Sequence, residues 1–396
     1  MRTDKCSNIV MVRKGGWEPW VDTVAGFLAS RDFSVTGVVL QAGAPDAIAR
    51  ASQGAEVRMV LEREVDTTAG GMTRALGSAA FLRRTLRALS CDVLYLVDSW
   101  TLPPVWLATR GRWRWRRARL VYHTFEWLEP GLHPWHAIRL ERGACRAADL
   151  VVNVERVKAR LQQMLYGLPS CPLWVRNALS LHYPTPEPQP ECRRGMLGAS
   201  PPDNAVAVIC PSTATPERLT LEQIRAMAKL PGRYRLATIR GPDQYQEQCE
   251  REASALGLSD RVVFLPRMPF DRLMEYVASA DLGVVIHDGR RSSGNFMASP
   301  MRLSQFAACG IPVVASAFPT VEAEVYKHGL GVCCDAYDPG AIAAAIADAV
   351  ESIPGLEVRR RQIRSAFESH LCFERRGEYL AVALDALLAK SGSHRT

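Results

Sequence analysis

The segment Ser293–Ser316, SGNFMASPMRLSQFAACGIPVVAS, gathers small polar side chains and one arginine where a short helix should begin. Ser299 suits an N-cap, and Pro300 suits the first helical position, where the missing N–H would be an orphan anyway. Gly310 falls where a helix leaves through a left-handed residue, and Ile311-Pro312 blocks its continuation. Val313, Val314 and Ala315 then form an apolar run suited to a parallel strand buried on both faces. A helix N-terminus presents free N–H groups and partial positive charge, so it seats a phosphate readily, and Arg302 adds a fixed cation in the first turn. An ordinary crossover helix has the same outline without a ligand.

The elements that must position this segment follow a regular rhythm. Ile9–Val12 reads as a strand leading through Gly15-Gly16 into the amphipathic stretch Trp20–Ser30, and Val35–Leu40 follows. Asp92–Val97, Leu120–Tyr122 and Leu150–Val154 are further strands, with helical patterns at Thr73–Leu89 and Arg139–Ala148. The alternation resumes with Ala205–Cys210, a helix over Leu221–Lys229, and strands Arg235–Ile239 and Val262–Leu265. Helix Phe270–Ser279 and strand Leu282–Ile286 precede the opening segment, Ala341–Ile353 is a later helix, and Glu378–Lys390 is the last. This is the β-α-β order of parallel sheets covered by helices on both faces.

Between Pro184 and Asp203 the texture changes: PTPEPQPECRRGMLGASPPD carries proline at every second position from 184 to 190. Such a run is extended and reads as a linker. It divides the chain into a first Rossmann-like domain over residues 1–183, the linker 184–203, and a second Rossmann-like domain over 204–372. A tail over 373–396 is expected to pack back on the first domain. Two α/β domains with a joint between them should create a cleft at the carboxyl ends of both sheets.

With 396 residues and 47% hydrophobic content, the chain can build two cores. No run approaches the roughly 18 apolar residues that span a bilayer, and Arg13-Lys14 interrupts the first apolar run, against a secretory leader. The 11 cysteines lack metal-ligand spacing, so no metal site is expected and a reducing cytoplasm fits. Residues 1–183 hold 25 Lys and Arg against 16 Asp and Glu, a net of +9 against +8 for the whole chain. Much of the excess lies in Arg110–Arg119, RGRWRWRRAR. Basic residues interleaved with Trp113 and Trp115 can rest on an anionic membrane with the indoles at headgroup level. They can equally form a solvated loop whose rings and stems cover apolar surface. Nucleic-acid binding is not expected, because no recognisable module accompanies the patch.

The text RVVFLPRMPFDRLMEYVASADLGVVIHDG followed by SPMRLSQFAACGIPVVAS resembles the C-terminal domain of GT-B glycosyltransferases, most closely family 4 and its relatives. ICPSTATPERL (Ile209–Leu219) is similar to the loop that faces the donor diphosphate there. In the first half, Gly15-Gly16, VYHTFEW (Val121–Trp127) and AADLVVNVE followed by Val175-Arg176-Asn177-Ala178 match the family in order. The resemblance implies a GT-B fold, with the first domain binding the acceptor and the second a UDP- or GDP-sugar. It further implies transfer to a hydroxyl with retention of anomeric configuration, using basic side chains and helix N-termini in place of a metal or cofactor.

Carried over residue by residue, the resemblance places Arg218 and Arg302 on the diphosphate, where guanidinium groups suit bidentate contact. Arg267 stands where relatives contact the base, and Gly15 and Gly16 form the glycine turn after the first strand. Ser293, Gly294 and Asn295 can donate to the sugar or the diphosphate. On the acceptor side Glu126 is the candidate general base or hydroxyl-orienting group, because apolar neighbours such as Phe125 and Trp127 favour protonation of a carboxyl. Asp98 is the second carboxylate and His123 a further contact. Two family glutamates are replaced here: Gln305 stands at the ribose-binding position and Met297 at the sugar-facing one.

These residues imply a hexosyltransferase of surface-polysaccharide, glycolipid or secondary-metabolite assembly. Its acceptor would be lipid-linked or a small molecule, and the protein cytoplasmic, peripheral on the inner face of the membrane. A non-catalytic GT-B partner of an active transferase is the alternative that the loss of both glutamates motivates.

Overall fold

Apolar runs whose alternate residues enter different cores are the basis of both sheets. The computed structural model describes residues 6–41, 57–62, 71–351 and 356–392. The chain forms two units, Met1–Ser180 with Phe373–Thr396, and Leu181–Cys372.

The first unit runs β1 (Ser7–Lys14), α1 (Pro19–Ala29), β2 (Phe33–Leu40), β3 (Arg58–Leu61), α2 (Gly71–Ala88), β4 (Val93–Val97) and α3 (Leu102–Ala108). It continues through β5 (Arg119–Thr124), α4 (Trp135–Ala147), β6 (Leu150–Asn153), α5 (Arg156–Tyr166) and β7 (Leu173–Trp174). The seven strands are parallel, in the order β3-β2-β1-β4-β5-β6-β7. Ile9 and Met11 enter one core with Phe27, Leu28, Leu380 and Leu384, while Val10 and Val12 enter the other with Leu82, Leu86 and Val105. The period of two along β1 therefore supplies both faces of the sheet.

The second core also takes up Trp113 and Trp115. Trp115 donates its indole N–H to the Leu86 carbonyl at 3.2 Å. The indoles thus cover apolar surface under a solvated loop, which corrects the reading of them as headgroup anchors. The arginines of Arg110–Arg117 remain exposed, Arg114 lying 3.6 Å from Asp149.

The second unit begins inside the proline-rich segment. Pro190 opens α6 (Pro190–Leu197), which buries Cys192, Met196 and Leu197 and packs on the strands that follow. The linker expected over 184–203 is corrected accordingly. Proline at the first helical position starts a helix instead of preventing one.

The unit continues with β8 (Val206–Thr213), α7 (Thr220–Ala228), β9 (Tyr234–Ile239), α8 (Asp243–Ala255), β10 (Val262–Leu265), α9 (Phe270–Ala278) and β11 (Leu282–Val285). After these come α10 (Ser293–Phe296), α11 (Met301–Ala308), β12 (Val313–Ser316), α12 (Pro319–Lys327), β13 (Gly331–Cys334), α13 (Pro339–Glu351) and α14 (Leu356–Ala366). Its six parallel strands are ordered β10-β9-β8-β11-β12-β13. The chain then returns to the first unit as α15 (Glu374–Gly392). There Arg376 stacks on Trp174 at 3.7 Å and donates to its carbonyl, and Ser180 donates to Glu374 at 2.6 Å.

Helix α11 starts later than the Ser299 cap implies. Pro300 is the N-cap, extended at ψ 125°, and no side chain caps the helix. Ser299 therefore lies before the cap and its hydroxyl does not serve the helix. The exit follows the sequence reading. Gly310 is left-handed at φ +69°, Ile311 N–H donates to the Phe306 carbonyl at 2.8 Å, and Gly310 N–H donates to that of Ala307 at 3.1 Å. Among the described residues, no helix is long and apolar enough to cross a membrane.

Candidate functional site

In each sheet the strand order reverses direction at one point, between β8 and β11 in the second unit and between β1 and β4 in the first. Open parallel sheets bind ligands outside the carboxyl ends of the strands at that point.

In the second unit, β8 and β11 release the loops holding Arg218 and His287. Asp288 N–H donates to the Glu217 carbonyl at 2.9 Å, joining the two loops. Arg218 ends a 3-10 turn, and Leu219 in a left-handed conformation directs the chain into α7. Arg302, in the first turn of α11, is only 7% exposed. Its Nη2 lies 2.5 Å from His287 Nε2 and its Nη1 4.0 Å from Cys210 Sγ. Burial pushes its pKa down to about 9, and the nearby charge of Arg218 adds to the effect. Among the described residues no carboxylate pairs with Arg302. A buried guanidinium without a counter-charge, beside a second arginine, is suited to a dianionic group.

Gln305, one turn further along α11, is buried, and its Oε1 has no hydrogen-bond partner among the described residues. Its amide thus has unused capacity in the same place. Asn295 instead donates its side-chain amide to the Asp288 carbonyl at 3.1 Å, so it stitches the β11 loop together. Gly294 lies in the same four-residue helix, and the Ser293 side chain falls outside the described set. Arg267 is exposed after β10, the edge strand two places from β8.

Sequence reasoning missed Asp288 and Tyr337. Burial acts to raise the Asp288 pKa, but hydrogen bonds from Arg290 and the Tyr337 hydroxyl outweigh it and hold the carboxylate below its usual range. Asp288 also lies 3.3 Å from Arg291, which in turn lies 3.6 Å from Glu217. The local signal was the text His287-Asp288-Gly289 immediately after an apolar strand.

In the first unit, Gly15 is left-handed at φ +93° and donates to the Leu40 carbonyl at 2.8 Å. A Cβ at Gly15 or Gly16 would meet nothing within 4 Å, so the turn leaves open space above it. Asp98, immediately after β4, has φ +61°, a strained conformation for an aspartate. Its Oδ2 accepts from Arg13 at 2.6 Å, while its Oδ1 accepts from the backbone of Phe125 at 2.8 Å and of Glu126 at 3.4 Å. Burial raises its pKa to about 6 against the opposing charge of Arg13. Asp98 thus holds the loop that carries Glu126.

Glu126 itself is exposed, whereas the sequence placed it in apolar surroundings. Trp127 turns into the core, and Phe125 packs between Trp20 and His123 with centroids 3.6 and 4.4 Å away, so the carboxylate between them points the other way. Of the two carboxylates Asp98 is the buried one.

His123 is buried, and burial drives its pKa down to about 3, so the ring is neutral. Nδ1 lies 2.7 Å from the Tyr95 hydroxyl, and Nε2 has no partner among the described residues. Where the Tyr95 hydroxyl donates to Nδ1, Nε2 carries the imidazole proton and can donate in turn. Lys158, unnoticed in the sequence, is buried in the first turn of α5. Burial lowers its pKa, opposed by the charges of Glu126, Glu155, Glu129 and Asp98 around it. Among the described residues no cluster of three or more His, Cys, Asp or Glu is arranged to hold a metal ion.

Residues 202–369 match the family model of glycosyl transferases group 1. The chain is 31% identical over 143 residues to a D-inositol 3-phosphate glycosyltransferase of Acidothermus cellulolyticus, a match covering 35% of this chain and 30% of the relative. It is 28% identical over 163 residues to a GDP-mannose-dependent alpha-(1-6)-phosphatidylinositol monomannoside mannosyltransferase of Mycolicibacterium smegmatis, covering 41% and 43% respectively. The chain thus spans less than half the length of these two relatives. The Anabaena HepE protein, solved with UDP and glucose, superposes over 96% of this chain and 100% of its own with a TM-score of 0.71 at 16% identity. The chain accordingly has the GT-B fold, and its residues 202–369 are similar to glycosyl transferases group 1.

Proposed function

We propose that this protein is a glycosyltransferase that moves a sugar from a UDP- or GDP-sugar to a hydroxyl acceptor with retention of configuration and without a metal ion. The observation that carries this reading is Arg302, a buried guanidinium that no carboxylate neutralises, at the first turn of α11 beside the charge of Arg218. The donor diphosphate supplies the missing negative charge, and its departure is stabilised by fixed cations in a desolvated place. Gln305 Oε1 takes a ribose hydroxyl proton in a hydrogen bond, a role open to an amide as to a carboxylate.

In the first unit, Glu126 orients the acceptor hydroxyl and receives its proton. Asp98 and Arg13 fix the loop, and neutral His123 offers an N–H to an oxygen of the donor or acceptor. The acceptor is lipid-linked or a small molecule of glycolipid, surface-polysaccharide or secondary-metabolite assembly. The names of the mycobacterial mannosyltransferase and of the inositol phosphate enzymes support this class.

The test is calorimetry with UDP and GDP, followed by transfer from a panel of nucleotide sugars with and without EDTA, the product anomer being read by NMR. Failure to bind any nucleotide at millimolar concentration ends the donor reading. Binding without transfer to any acceptor would instead support a non-catalytic partner of another transferase.

A further inference from the structure

His287 stands two residues beyond β11, whose neighbours in the sheet are β8 and β12, and it is only 4% exposed. Its backbone N–H donates to Ser316 Oγ at 3.0 Å, which ties it to the end of β12. The next N–H, that of Asp288, donates to the Glu217 carbonyl, so the turn carrying Arg218 hangs on the same strand end. Three elements thus fix where the imidazole sits before any ligand arrives.

The ring meets Arg302 with Nε2 2.5 Å from Nη2, while Nη1 lies 4.0 Å from Cys210 Sγ on β8. A guanidinium carries only donors, so the bond to Nε2 forms with an imidazole whose Nε2 is an unprotonated acceptor. The guanidinium is also planar, and holding one of its nitrogens sets the direction of the remaining N–H groups. A carboxylate in the place of His287 would hold the arginine at least as firmly. It would also neutralise the charge and leave a dianion little to meet. Imidazole orients the cation and leaves its charge intact.

We infer that His287 is a positioning residue for the donor, its neutral ring aiming the Arg302 guanidinium at the diphosphate without spending its charge. This rests on the donor reading above and adds a residue to it. A long arginine ordered in advance loses less freedom when the ligand binds, so the gain appears as nucleotide affinity. The inference sets fold stability and affinity in opposition: a negative charge at position 287 should suit the empty protein and harm the bound one.

The experiment is calorimetry with UDP and GDP, and thermal denaturation, on the full chain and three variants. His287→Gln keeps a neutral acceptor and should bind the nucleotide within about threefold of wild type. His287→Glu has nearly the same shape but pairs with Arg302. It should bind at least about tenfold more weakly while its thermal midpoint holds or rises. A merely structural histidine would lose both quantities together. His287→Leu should weaken binding in the wild-type background and change it less than about twofold in Arg302→Met, where no guanidinium is left to aim. Nucleotide binding by His287→Glu within about twofold of wild type would overturn the inference. So would equal losses of affinity and midpoint in the Gln and Glu variants, or a full effect of His287→Leu beside Arg302→Met. Those three results leave the donor reading standing, whereas a wild type that binds neither nucleotide at millimolar concentration removes both.

Discussion

Replacing Arg302 by methionine separates a ligand-binding cation from a structural one. Met fills much of the same space without the charge. Burial pushes the guanidinium pKa down to about 9, well below its ordinary value. A shift of that size corresponds to a cost on the order of 5 kcal/mol for keeping the charge inside the fold. Because the folded value lies below the unfolded one, the cost is fully present below about pH 9 and disappears as pH rises towards the unfolded value. At neutral pH the variant regains this cost and loses the contact with His287, worth about 1–3 kcal/mol. Its thermal midpoint should therefore match or exceed that of wild type.

Nucleotide affinity should move the other way. Charge-assisted bonds to a diphosphate contribute about 1.5–3 kcal/mol, so Kd for UDP or GDP should rise roughly 10- to 150-fold. Calorimetry and thermal denaturation on the same preparation read both quantities. An affinity within about twofold of wild type would refute the assignment of Arg302 to phosphate. A stability loss above about 2 kcal/mol would show that the fold, and not the ligand, uses the charge.

Asp98→Asn replaces the carboxylate that faces Arg13 at 2.6 Å by a neutral group of the same size, and because burial disfavours that charge the stability at neutral pH should change by no more than about 1–2 kcal/mol in urea unfolding. Because the Asp98 pKa is raised to about 6, its contribution to stability is greatest below pH 3.8 and declines as pH rises through 6. Activity that needs the carboxylate should fall on the acid side of about pH 6 and lose that limb in Asp98→Asn, as a pH–rate profile would show. His123 has the opposite linkage: with a pKa of about 3, it removes stability as pH falls from 6.5 towards 3. Its ring nitrogens should therefore keep neutral-imidazole NMR shifts from pH 8 down to about 4; an imidazolium signal at pH 5 would contradict the buried placement. Gly310→Ala adds a Cβ 2.7 Å from the Arg360 carbonyl at a left-handed position and should destabilise the chain by about 1–3 kcal/mol in thermal denaturation.

Most strands, though not β3, β7 or β13, and about half of the helices could be read from local pattern, because a parallel strand buried on both faces needs a continuous apolar run and a helix exit needs its glycine. Val262–Leu265 and the Gly310 exit are cases in which a few neighbouring residues suffice. The GT-B order of elements was equally visible. Tertiary packing decided what such patterns leave open. Trp113 and Trp115 look identical in sequence whether they face lipid or a core, and only the apolar surface beneath them places them inside. The same holds for α6, whose Cys192, Met196 and Leu197 have somewhere to go only because the following sheet offers its flank. At the site, adjacency in the chain made Glu126 look enclosed by aromatics, but those rings pack inward and leave it exposed. Asp98 is buried by contacts from Arg13, Phe125 and Glu126, residues that are distant in sequence. Residue type and spacing determined which charges this protein carries along its strand ends. Which of those charges are deprived of water, and so shifted or left in need of a ligand, depends on long-range burial that no local pattern encodes.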